Sequence, residues 1–152
     1  MLRDPSLVPL SRQHHNGLAL VVLSERSLAE DSSPENVSRL AKRAVERFEV
    51  ELVNHFKMEE NVLFPAIESE LGDSALVREL IAEHRMVEQL TGRLREQPSR
   101  ATLDDFLGLL RTHIRKEENE LFEDIQRRLA RQTLDEVGGV LEAKAVQICL
   151  NP

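Results

Sequence analysis

The stretch His55-Phe-Lys-Met-Glu-Glu-Asn-Val-Leu-Phe64 returns 58 residues later as His113-Ile-Arg-Lys-Glu-Glu-Asn-Glu-Leu-Phe122, with six of its ten positions identical. Any fold open to this chain has to accommodate both copies in one way. Each copy sets an imidazole and a carboxylate four residues apart, His55 with Glu59 and His113 with Glu117, ahead of a Leu-Phe pair. In an α-helix four residues advance about 6 Å along the axis and about 40° around it, so each pair shares a face. Both pairs interrupt apolar rows at helical spacing, Val37-Ala41-Ala44-Phe48-Leu52 before His55 and Leu103-Phe106-Leu110 before His113. The metal-ligating chemistry therefore points into a core.

The rest of the chain repeats the arrangement with single histidines. Leu7, Leu10, His14, Leu18 and Val21 recur at steps of three and four, which predicts a first helix opened near Asp4-Pro5 or Pro9 and running to about Glu30. His15 points about 100° away from His14. Ser33-Pro34 reads as a cap and first turn for the second helix, Pro65 predicts a kink or break just past the motif, and Gly72 a stop. Asp73 or Ser74 caps a third helix with Val77, Leu80, His84, Val87 or Glu88, Thr91 and Leu94 on its stripe, ended by Pro98. Thr102-Leu-Asp-Asp105 resembles a capping box for the fourth helix, and Thr133-Leu-Asp-Glu136 for a short fifth one weakened by Gly138-Gly139. Short connections between four long helices predict an all-α fold, an antiparallel up-down-up-down four-helix bundle over about residues 5–131. A short C-terminal helix and tail over 132–152 complete one expected domain spanning 1–152.

Composition removes several classes of function. Twenty Lys and Arg against 27 Asp and Glu give a net charge of −7, the wrong sign for a nucleic-acid partner. The longest apolar run, Leu18 to Leu23, is too short for a membrane span. A single cysteine, Cys149, has no intramolecular partner, which suits a reducing, cytoplasmic setting. The HExxH protease signature, a phosphate-cradling glycine loop and a CxxC pair are all missing, and no Glu lies three residues before a histidine as in the Glu-x-x-His di-iron enzymes. No catalytic residue is assigned.

Opposed helices bring His14 or His15, His55, His84 and His113 toward one level, where Glu59 and Glu117 can each bridge two ions. An unpaired buried carboxylate is disfavoured by roughly several kcal/mol, and bound cations reverse that cost. Imidazole and carboxylate donors without thiolate suit iron or manganese, and also zinc. Glu60 and Glu118 lie about 140° from their histidines, so a supporting or solvated position fits them better than ligation. Asn61 and Asn119 are equally suited to the site's edge or the surface, and Leu63-Phe64 and Leu121-Phe122 to apolar walls. A metal-free helical interaction module is the competing reading.

Leu10-Ser-Arg-Gln-His-His-Asn-Gly-Leu18, His55 through Pro65, Glu83-His84 and His113-Ile-Arg-Lys-Glu-Glu118, in that order, resemble the hemerythrin-like, or HHE cation-binding, family over about residues 5–130. The resemblance implies a four-helix bundle holding an oxo- or hydroxo-bridged pair of irons, used in different members for oxygen carriage, for sensing oxygen, iron or redox state, or for nitric-oxide response and iron-centre repair. It implies His55 and Glu59, His84, and His113 and Glu117 as ligands, with His14 or His15 from the first helix. Oxygen-carrying hemerythrins have a second histidine where this chain has Glu88. That substitution leaves four histidines with two or three carboxylates, a set that favours the ferric state over reversible oxygen storage. Oligomeric state is not legible in the sequence.

Overall fold

Proline and serine set the helix starts. In a computed structural model that describes residues 2–147, Asp4 accepts hydrogen bonds from the Ser6 amide (3.0 Å) and hydroxyl (2.6 Å), capping a 3-10 turn at Pro5–Leu7 that runs straight into helix α1, Val8–Glu30. Both proposed starts are thus used, Pro5 in the 3-10 turn and Pro9 in the first turn of α1. Ser33 caps α2, which spans 34–71, through a 3.2 Å bond from the Asn36 amide, and Gly72 ends it at φ 87°, a conformation only glycine adopts without strain. Ser74, rather than Asp73, caps α3, Ala75–Glu96. Cys149 lies outside the described residues.

Two expected caps are corrected. Helix α4, spanning 100–128, starts one turn before Thr102, because the Ser99 hydroxyl accepts the Thr102 amide at 3.1 Å. Helix α5, Arg131–Lys144, likewise starts ahead of the Thr133 box. The Glu70 carboxylate from the end of α2 accepts both the Ala130 amide (2.9 Å) and the Thr133 hydroxyl (2.8 Å), so a distant side chain supplies the cap.

Both motif copies widen their helices. Glu59–Leu63 and Glu117–Phe122 are π turns, and the Phe64 amide bonds to the Glu59 carbonyl five residues back. A regular helix would turn Phe64 about 140° away from Glu59, whereas the widened turn stacks the two on one face. Pro65 breaks nothing: α2 resumes α-helical bonding at Phe64 and continues to Leu71. Proline is not the cause, because Glu123 occupies the matching place in α4 and the π turn forms there too.

The helices assemble into an all-helical bundle in which α1 packs on α2 and α4, and α3 on α2 and α4. Along each pair, residue numbers rise on one helix as they fall on the other: Asn16 meets Glu51 while Ser27 meets Asn36, and Lys116 meets Glu79 while His113 meets Glu83. Two apolar clusters result, one around Leu40, Phe48, Phe106 and Leu110, the other around Leu10, Phe64, Leu80 and Phe122. On every long helix a histidine stands at, or within about a turn or two of, the point where one cluster gives way to the other, as His84 does between Leu80 and Val87. No helix among the described residues is long and apolar enough to cross a membrane.

Helix α5 closes the second cluster with Leu134, Val137 and Leu141. Gly138 is required there by close approach: a Cβ on it would lie 2.7 Å from the Ser6 Cα, while Gly139 has nothing within 4 Å. The two glycines should therefore respond with opposite signs. In denaturant unfolding, Gly138→Ala is expected to cost about 1–3 kcal/mol by overpacking against fixed backbone, and Gly139→Ala to gain up to about 1 kcal/mol of helix propensity. Equal responses would mean that α5 does not dock on the 3-10 turn.

Candidate metal centre

The polar layer holds six side chains shut away from water. His14, His55, His84, His113, Glu59 and Glu117 are each at most 3% exposed. They fall into two groups of four that share both glutamates: His14 with His55, and His84 with His113, each pair completed by Glu59 and Glu117. In each group one donor atom from every residue lies within 4.8 Å of the others. The i,i+4 spacing accounts for His55 Nε2 at 3.4 Å from Glu59 and His113 Nε2 at 2.6 Å from Glu117. The packing of α1 and α3 brings in His14 Nε2 at 3.5 Å from Glu117 and His84 Nε2 at 3.0 Å from Glu59.

Every one of the four rings is oriented from behind. Nδ1 of His14 bonds Glu118 (2.6 Å), that of His84 bonds Glu60 (2.7 Å), that of His113 bonds Glu83 (2.7 Å), and that of His55 bonds the Gln13 amide oxygen (2.9 Å). An acceptor at Nδ1 fixes the proton there and leaves the Nε2 lone pair directed inward, the arrangement that orients histidine ligands in metal sites. Glu118 is held in turn by Arg3 and Ser11, Glu60 by Arg85, and Glu83 by Lys116. The carboxylate one residue after each glutamate of the layer thus serves the lone histidine of another helix.

Apolar rings close the layer. Phe122 stacks on His14 (5.4 Å between centroids, 19°), and its counterpart Phe64 on His84 (5.9 Å, 17°), as the widened turns allow. Phe56 also lies flat on His84 at 3.9 Å. Leu63 and Leu121 are buried in the same wall.

Burial sets the protonation states. It pushes the His55 and His113 imidazoles below their ordinary value, outweighing the nearby carboxylates. Burial alone would raise Glu59, but the two imidazoles beside it, His55 and His84, hold it well below the usual carboxylate range. Neutral imidazole and ionised carboxylate are the forms that bind cations. His14, His55 and His113 Nε2, Glu59 Oε2 and both Glu117 oxygens have no hydrogen-bond partner, and the 2.6 Å approach of His113 to Glu117 lacks the alignment of one. Buried polar atoms left without partners are costly, and one or two cations among them would satisfy all at once. Nitrogen and oxygen donors without sulfur fit iron, manganese or zinc.

Two sequence candidates stay outside the cluster. His15 is exposed and lines a surface cleft, so of the adjacent histidines His14 is the one that faces the layer. Val87 takes the core position on α3, and Glu88 turns outward to pair with Arg85. Asn61 and Asn119 are exposed. Gln13 and Glu83 appear in the sequence only as neighbours of their histidines and carry no role there, although each immediately precedes a lone histidine, which is the signal that pairs them. Glu51, also buried, accepts a 2.8 Å bond from Asn16 beside the first group, and burial raises its carboxyl above the ordinary value.

No match was found among the curated proteins or the solved structures compared. A family model described as the hemerythrin HHE cation-binding domain matches residues 7–125, a span that contains all six side chains of the layer and all four of the residues that orient its histidines. A chain so matched, with its donors converging in this way, belongs to the hemerythrin HHE cation-binding family.

Proposed function

We propose that this chain is an antiparallel up-down-up-down four-helix bundle holding two metal ions, iron in its working form, with zinc or manganese as the other metals the donor set accepts. His14 and His55 would hold one ion and His84 and His113 the other, with Glu59 and Glu117 available to both. The observation that carries the reading is the convergence of four outward-anchored imidazoles on two shared, fully buried carboxylates. When bound, a pair of irons supplies one-electron redox chemistry and coordination room for a small diatomic molecule. The chain's own part is to hold Nδ1 protons outward, keep Glu59 ionised, and exclude water with Phe56, Phe64 and Phe122. A role in response to oxygen, redox state or nitric oxide, or in handling iron, follows best from such a site in a cytoplasmic setting.

With Glu88 turned away, each position has two imidazoles and two shared carboxylates, fewer histidines than the oxygen carriers use. Anaerobically loaded ferrous protein is therefore expected to oxidise within minutes of exposure to air, followed by its absorption spectrum. Oxygen uptake that reverses on evacuation would contradict this and restore a carrier role.

A further inference from the structure

The two motif copies match, and so do most of the side chains that support them. Glu60 and Glu118 occupy matching places, as do Phe64 and Phe122. Gln13 and Glu83 also match, each directly ahead of the lone histidine on its helix and each bonded to the Nδ1 of a motif histidine, but one is an amide and the other a carboxylate. The group built on His84 and His113 thus has carboxylates behind both rings, whereas the group built on His14 and His55 has one.

A carboxylate draws the Nδ1 proton more strongly than an amide oxygen does, and so makes Nε2 the better electron donor. Net charge is not the difference, because Lys116 offsets Glu83 as Arg85 offsets Glu60 and Arg3 offsets Glu118. The Gln13 amide nitrogen donates to Asn54 at 3.0 Å, which holds the amide oxygen toward His55. Glu51 does not restore the balance, since its bond is to Asn16 and not to an imidazole.

Two further observations act in the same direction. His84 stacks with both Phe56 and Phe64, while of the phenylalanines only Phe122 stacks on His14 among the described residues. Gln13, Asn16 and Glu51 line a cleft of about 570 Å³ beside the first group, larger than the cleft of about 140 Å³ that Phe56 and Glu60 line beside the second.

Building on the metal reading above, we propose that the two positions are unequal: the one between His84 and His113 fills first and holds its ion more tightly, and Glu83 and Gln13 set the difference. Loading is stepwise, and a singly loaded form carries its ion on the α3–α4 side.

The test is calorimetric titration of the metal-free full chain with zinc, paired with nitrogen-15 spectra of the histidine rings. The first equivalent is expected to shift the His84 and His113 rings and the second those of His14 and His55, with steps at least about tenfold apart. Glu83→Gln should weaken the first step about 10–100-fold and leave the second nearly unchanged, and Gln13→Glu should tighten the second. One step moving all four rings together, His14 and His55 responding first, or a first step indifferent to Glu83→Gln would each overturn the inference alone. Wild-type protein that takes up no zinc would overturn the metal centre and the inference with it.

Discussion

Replacing Glu117 by leucine is expected to abolish binding at both metal positions, whereas His84→Ala should spare one. Glu117 belongs to both donor groups and His84 to one, so the loss of a shared carboxylate removes a ligand from each position. The stability consequences have opposite signs in the two forms of the protein. A cation present at a thousand times its dissociation constant stabilises the fold by about 4 kcal/mol, and the variant forfeits that. At roughly 2–4 °C per kcal/mol for a chain of this size, melting with metal present should fall by about 8–16 °C. Without metal, leucine replaces a carboxylate whose oxygens both lack hydrogen-bond partners, and relieving that unpaired burial is neutral or stabilising. Metal analysis and melting curves, each with and without metal, check both halves. A Glu117→Leu protein that keeps one ion would show that the carboxylate serves a single position.

The second large effect is acid lability of the metal-free fold. His55 and His113 are held neutral by burial, with folded values below the ordinary 6.5. Below about pH 6.5 the unfolded chain takes up protons that the folded chain refuses, so stability falls as pH falls, by at most about 1.4 kcal/mol per pH unit for each histidine. Glu59 adds to this at lower pH: its folded value is depressed, so its contribution is complete above the ordinary 4.5 and is lost as pH drops through the folded value. Glu51 opposes, since its raised carboxyl favours the fold in acid, but its window opens upward from 4.5 and it is one group against two. Denaturant midpoints measured from pH 7.5 to 5 should therefore stay nearly level down to about pH 6.5 and decline below it. A flat or rising profile would mean that the layer accepts protons freely and is wetter than its packing indicates.

Much of the site could be read from spacing because the helices carry their donors on core stripes. Leu10 four before His14 and Leu18 four after it favoured His14 over His15, and burial separates the two in the same way. The ambiguity between Val87 and Glu88 was real at the level of periodicity, since both fall near the stripe. Packing resolves it, because an apolar side chain gains from that slot and Arg85 offers the carboxylate a partner outside. What spacing cannot carry is a departure from regular helix. The π turns bring Phe64 and Phe122 onto the faces of Glu59 and Glu117, and a reading at 100° per residue turns them away. Long-range partners are equally hidden: Glu70 caps α5 from 60 residues away, and Gln13 and Glu83 reach their histidines across helix pairs.

If six buried side chains hold two ions, metal analysis of the protein purified without a histidine tag or chelator, with its absorption spectrum in air, will show them. About two irons per chain with near-ultraviolet bands of a bridged ferric pair is the expected result. Protein that is metal-free as isolated and takes up no ferrous iron anaerobically would contradict it, leaving the buried histidines and glutamates as a polar network of a helical interaction module.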